Sequence, residues 1–202
     1  MNNIVRQLFF IVSVLLLTVH CSPLTVHAEK IYIDITSPGI RRLPIAIQPF
    51  SGAPEISSII KADLTFTGLF ECLPEDAQIE RPAQPFNPSN WRGLGVELVI
   101  QGQAATGPAI KIIVSAHDVS GGAEMLRKEY SASQSMLRPL AHTIANDIYK
   151  ILTGQQGIFR TKIAFVSETK DSKELNIMDY DGFRDYSTGI KGVIMLAPRW
   201  SP

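Results

Sequence analysis

Between Leu137 and Leu152 the apolar residues fall on one helical stripe, and beyond Gly157 that spacing gives way to short alternating runs. Leu137, Leu140, Ala141, Ile144, Ile148, Ile151 and Leu152 recur at i, i+3, i+4 and i+7, so a helix here buries one face and stops at Gly154. After Gly157 the runs Ile163 to Ser167 and Glu174 to Asp179 read as strands. Lys170-Asp171-Ser172 and Asp181-Gly182 supply turns, and a weaker third stretch follows at Val193 to Leu196. Short strands at this spacing, with no helix between them, suit one blade of a β-propeller, and a single blade cannot bury both its faces. The expectation for 157–202 is therefore the first blade of an incomplete β-propeller, from a truncated or split chain.

Upstream the pattern is mixed. Lys30 to Thr36 alternates as a strand, and Leu43 to Phe50 is a more apolar one. Pro54 to Phe66 reads as a helix with Ile56, Ile59, Ile60, Ala62 and Leu64 on its apolar face, ended by Gly68. A short strand at Leu69 to Leu73 precedes a Pro-, Asn- and Gln-rich loop over 74–88. Ser89 or Asn90 is expected to cap a short helix through Trp91 to Leu94. Strands follow at Val96 to Ala104, Ala109 to Asp118 and Glu124 to Ser131, the last two joined by a turn at Ser120-Gly121-Gly122. The order β-β-α-β-α-β-β-β-α fits an α/β fold, a two-layer α+β domain with a mixed sheet, over residues 29–156.

The N-terminus carries an export signal. Arg6 is followed by the apolar run Leu8 to Val19, shorter than the roughly 20 residues of a membrane span. Val26-His27-Ala28 suits signal peptidase, so 1–28 is read as signal peptide and the mature chain as starting near Glu29. A lipid anchor on Cys21 is the competing reading, but the bulky His20 precedes that cysteine. No later run approaches the length of a transmembrane segment, so the expected location is periplasmic.

Removing the signal takes away Arg6 and leaves a net charge near −1, without the basic field that nucleic-acid binding uses. Cys72 remains as the single thiol, with no histidine nearby in sequence, and reads as a small buried apolar residue. His117 and His142 are far apart, outside any HExxH or Cys pairing, so no metal site is expected. Asp179-Tyr180-Asp181-Gly182 could suggest calcium, but no further acid follows in register, and a hairpin turn is the plainer reading. Arg138, Asp147 and Lys150 read as a solvated helix face, and Trp91 and Trp200 as core anchors. No nucleophile elbow, P-loop or dinucleotide fingerprint is present, so neither an enzyme nor a cofactor is expected.

An ordered set of motifs resembles the TolB family of periplasmic Tol-Pal components. Leu140-Ala141-His142, Ala145 to Tyr149 and Leu152-Thr153-Gly154 are similar to that family's long helix, with Asn146 in place of its usual Asp. Gly157 to Ser167 resembles its linker and first propeller strand, and Met178 to Gly182 with Trp200-Ser201-Pro202 a blade's turn and closure. The resemblance implies a protein that binds partners without catalysis, linking inner and outer membranes and aiding outer-membrane constriction at cell division. It implies a TolA-like inner-membrane partner held by the mature N-terminus: Glu29, Lys30, Ile31, Tyr32, Ile33, Asp34, Ile35 and Thr36. Such a tail could pair its backbone with a partner's sheet edge, or could simply belong to the domain's own sheet. A Pal-like lipoprotein would be held by the propeller, of which the family has six blades and this sequence about one. Two other readings stay open: a non-catalytic gating part of a propeller-containing hydrolase, and an envelope glycan-binding domain.

Overall fold

The computed structural model describes residues 41–105, 107–192, 194–195 and 197–200. The expected signal peptide and the tail Glu29 to Thr36 lie outside the described residues. A five-stranded sheet runs in the order β2-β1-β3-β4-β5, formed by β1 (Leu43–Ile47), β2 (Phe70–Cys72), β3 (Leu98–Ala105), β4 (Ile110–Asp118) and β5 (Glu124–Ala132). β1 pairs in parallel with β2 and β3, whereas β3, β4 and β5 pair antiparallel, so the sheet is mixed as expected. As an inner strand, β1 buries residues on both faces, and its sequence LPIAI is correspondingly apolar throughout. β4 instead alternates at first, burying Ile110, Ile112 and Val114 while Lys111 and Ile113 face out.

Two helices, α1 (Pro54–Phe66) and α3 (Leu137–Thr153), pack against each other and join the core that Ile45, Ile47, Ile100 and Ile112 supply. Pro54 starts α1, where its missing N–H costs nothing. Gly154 ends α3 in the left-handed conformation, its N–H bonding to the Lys150 carbonyl at 2.8 Å. The face of α1 differs from the expected one: Ala62 points to solvent and Asp63 is buried. Helical spacing explains this, because Asp63 lies three residues from Ile60 and seven from Ile56. On α3, Ile151 at the edge of the stripe is likewise exposed.

A smaller cluster covers another part of the sheet. Trp91, Val96, Val99, Val119 and Ala46 pack together, with Leu73, Phe86 and Leu94 against them. Trp91 is thus a core anchor, seated by the short α2 (Pro88–Arg92). The cap of α2 is Asn87, whose Oδ1 accepts from Ser89 N at 3.1 Å, rather than Ser89 or Asn90. Pro88 takes the first turn of the helix, which moves the capping position one residue before it.

The tail forms a separate three-stranded antiparallel meander of β6 (Lys162–Glu168), β7 (Lys173–Asp179) and β8 (Asp185–Gly192). The third strand lies at Asp185–Gly192, ahead of the expected Val193 to Leu196. The Asp179 to Arg184 turn brings it directly back, with Asp179 N bonding to the Arg184 carbonyl at 3.0 Å. Trp200 is 60% exposed rather than buried, with no described element folded over it.

Candidate functional site at the junction of the two sheets

The junction starts from a carboxylate held where apolar residues belong. Asp63 on α1 is buried, and its Oδ2 accepts a hydrogen bond from His142 Nδ1 on α3 at 2.8 Å. Its Oδ1 accepts from the hydroxyl of Tyr180, which stands just after β7. A buried carboxylate needs such donors, because its desolvation is otherwise prohibitive. Asp63 therefore pulls one residue from the second helix and one from the terminal sheet onto itself.

Aromatic packing closes the same place. The Tyr180 ring meets Phe66 edge-on at 5.5 Å, His142 at 5.7 Å and Phe159 at 5.7 Å between centroids. Phe159 and Tyr180 both belong to the core cluster of the five-stranded module, although they follow Gly157 in sequence. Gly157 itself passes against Asn146 of α3, where any Cβ would overlap the Asn146 amide oxygen. That oxygen accepts from Phe159 N at 3.4 Å, so Asn146 reads the backbone at the point where the chain leaves α3. Burial raises the Tyr180 hydroxyl well above its ordinary pKa; the bond to Asp63 and the charges of Asp63 and Asp181 add to this, and Arg138 opposes it.

Asp181, one residue further on, pairs with Arg138 of α3, whose guanidinium lies over the Phe183 ring at 3.8 Å. Its Oδ2 also stands 3.7 Å from His142 Nε2. His142 Nε2 and Arg138 Nε are buried and have no hydrogen-bond partner among the described residues. Beside this cluster opens a concavity of about 420 Å³, lined by Ile59, Phe66, Asp63 and Arg138 among others. Arg138 is thus no part of a solvated helix face. Asp147 departs from that expectation too: it accepts from Tyr130 Oη at 2.7 Å and from Lys128 Nζ at 2.6 Å across on β5. Aspartates on an otherwise apolar helix side are held by partners that sequence separation conceals.

A second, smaller cleft of about 230 Å³ lies between the loop at Ala83 to Phe86 and strands β3 to β5. His117 stacks on Phe86 with centroids 4.5 Å apart and its Nε2 lies 3.1 Å from Ser115 Oγ. Burial lowers the His117 pKa, with Glu124 acting against that shift. The two histidines thus serve different places, as their separation in sequence implied. Cys72 is half-buried, burial raises its pKa, and Thr65 Oγ1 lies 3.5 Å from its sulfur. The Asp179 to Gly182 segment is a turn closed by Gly182 N to the Asp179 carbonyl at 2.8 Å. An Asp-His pair can orient a general base, but no Ser or Cys among the described residues is bonded to His142.

Residues 31–125 match the family model described as the TolB amino-terminal domain. The chain carries a TolB amino-terminal domain. The similarity to whole proteins of that family runs further along the chain. A Tol-Pal system protein TolB of Geobacter sulfurreducens is 30% identical over 201 residues, covering 93% of this chain and 46% of that protein. Its counterpart in Geobacter metallireducens is 30% identical over 211 residues, covering 98% of this chain and 48% of that protein. The chain spans about half the length of the curated relatives it matches. Among solved structures, TolB from Acinetobacter baumannii superposes with a TM-score of 0.68 at 24% identity, over 77% of this chain and 40% of that one, a likeness of fold.

Proposed function

We propose that the chain is a periplasmic, non-catalytic component of the Tol-Pal system that works by holding partner proteins. The observation that carries this is the TolB amino-terminal domain at residues 31–125, in a chain 30% identical to Tol-Pal system proteins over nearly its whole length. In this reading residues 1–28 direct export, 29–156 form the binding domain and 157–202 the first blade of a propeller. The half-covered state of β6, β7 and β8 supports the last point, since a blade expects neighbours on its faces. The tail Glu29 to Thr36 pairs as a strand with a TolA-like inner-membrane partner, and a Pal-like lipoprotein engages the propeller when further blades complete it. The protein thereby links the inner and outer membranes and helps the outer membrane constrict at division.

Among the described residues no helix is long and apolar enough to cross a membrane. The test is a pull-down of the chain lacking 1–28 with a TolA carboxy-terminal domain. Capture that is lost on deleting Glu29 to Thr36 supports the reading; undiminished capture by the deletion variant overturns the role of the tail.

A further inference from the structure

We infer that the cleft between the Ala83 to Phe86 loop and strands β3 to β5 is a binding site for one neutral sugar ring. The inference rests on that cleft alone and is independent of which proteins the chain holds. It starts from the wall. Between β2 and α2 the chain makes a long connection whose regular structure is one short 3-10 turn, Glu75–Ala77. Side chains pin this connection to the sheet. Gln78 Nε2 donates to the Ile47 carbonyl, Gln48 Nε2 to the Glu80 carbonyl and Gln101 Nε2 to the Gln84 carbonyl, each at 3.1 Å. Glu80 Oε1 accepts from Asn87 N at 2.8 Å and closes the loop on itself. At its lip Ala83 has φ +68°, the one non-glycine residue with positive φ among the described residues. A residue with a Cβ stays there only when its surroundings hold it, and such positions gather at ligand clamps.

The floor is the sheet face opposite the helices. Gln101, Ser115 and Arg127 stand in one row across β3, β4 and β5, with Gln103 and Ile113 in a neighbouring row. The Gln101 amide nitrogen is committed to Gln48 Oε1 at 2.8 Å and to Gln84, which leaves its Oε1 as the group offered to the cleft. Charge selects the class of occupant. Arg127 is paired with Glu124 at 3.3 Å, and burial favours the neutral form of His117, so neither an anion nor a cation meets an unbalanced partner. The groups that remain are planar: the Gln103 amide, the Gln101 oxygen and the outer edge of the Arg127 guanidinium. Such edges, with donors and acceptors side by side, match adjacent hydroxyls on a ring. Exposed Ile113 gives the C–H face of that ring an apolar surface. The volume of about 230 Å³ falls below that of sites for larger ligands and suits a single ring.

The experiment follows backbone and side-chain amide signals of the chain lacking 1–28 by NMR as N-acetylglucosamine is added. Saturable shifts confined to 83–86, 101–103 and 113–117 are expected, with a Kd on the order of 1 mM. Gln103→Ala and Arg127→Ala replace exposed side chains, so both should keep the fold and weaken binding by about fivefold or more. A second arm identifies the source of the ring. A short N-acetylglucosamine oligomer that binds more tightly than the single sugar marks a chain end as the occupant; equal affinity marks the free sugar. The absence of saturable shifts, shifts centred on other residues, or unchanged affinity in both variants overturns the site. Tighter saturation of the same residues by acetate overturns the ligand class.

Discussion

The five-stranded module and the terminal meander are built from similar strands, yet they bury them differently. Ile45, Ile100, Ile112 and Ile144 of the module are fully buried, with helices on one face of the sheet and the Trp91 cluster on another part. In the meander every residue of the central strand β7 is only half-buried, and Ile163, Tyr186 and Ile190 are exposed. The module draws most of its core from its own strands and helices; the meander is tied down at one end, where Phe159 and Tyr180 enter that core. Local hydrogen bonding can therefore complete a sheet without completing a core.

Matched truncations strain that comparison hardest. Ile144→Ala removes a buried side chain from α3 and should destabilise the chain by about 2–5 kcal/mol. Ile177→Ala in half-covered β7 should lower stability by less than about 1.5 kcal/mol, since little cavity forms there. Both are read from urea unfolding, and equal losses would break the distinction. Next in size is Gly102→Ala in β3, whose added methyl overlaps the buried Phe50 ring and should destabilise by about 1–3 kcal/mol.

Tyr180→Phe sharpens the comparison at the joint. It strips one donor from buried Asp63 and should lower stability by about 1–2 kcal/mol. Amide exchange in 162–192 should quicken while β1, β3 and β4 keep their protection. The smallest effect is alkaline. Tyr130 and Tyr180 both have pKa values raised by burial first and by carboxylate partners second. A raised tyrosine pKa favours the protonated folded state, so this stability is intact below pH about 10 and is lost as pH climbs above it. Unfolding of the two Tyr→Phe variants against pH should show a shallower alkaline decline than wild type.

Much of the fold was legible because period and punctuation agreed. Pro54 and Phe66 bounded α1, and the Leu137 to Leu152 stripe with Gly154 bounded α3 to within a residue. The third tail strand was misplaced because its polar sequence DYSTGIKG lacks the alternation that marks a half-buried strand. The junction was harder to read. Asp63, His142 and Tyr180 are brought together across 79 and 117 residues of sequence separation. One local signal was present: an aspartate on the Ile56–Ile60 face of α1, which only a buried partner permits. His142 is buried on α3, but nothing beside it in sequence says which carboxylates it meets.

Native-state hydrogen exchange, resolved segment by segment, tests the central claim that one module stands alone while the meander hangs from a single joint. Amides of β1, β3, β4 and α3 should exchange only through global unfolding, and those of β6, β7 and β8 through local opening at distinctly lower free energy. Uniform protection from β1 through β8 would contradict it.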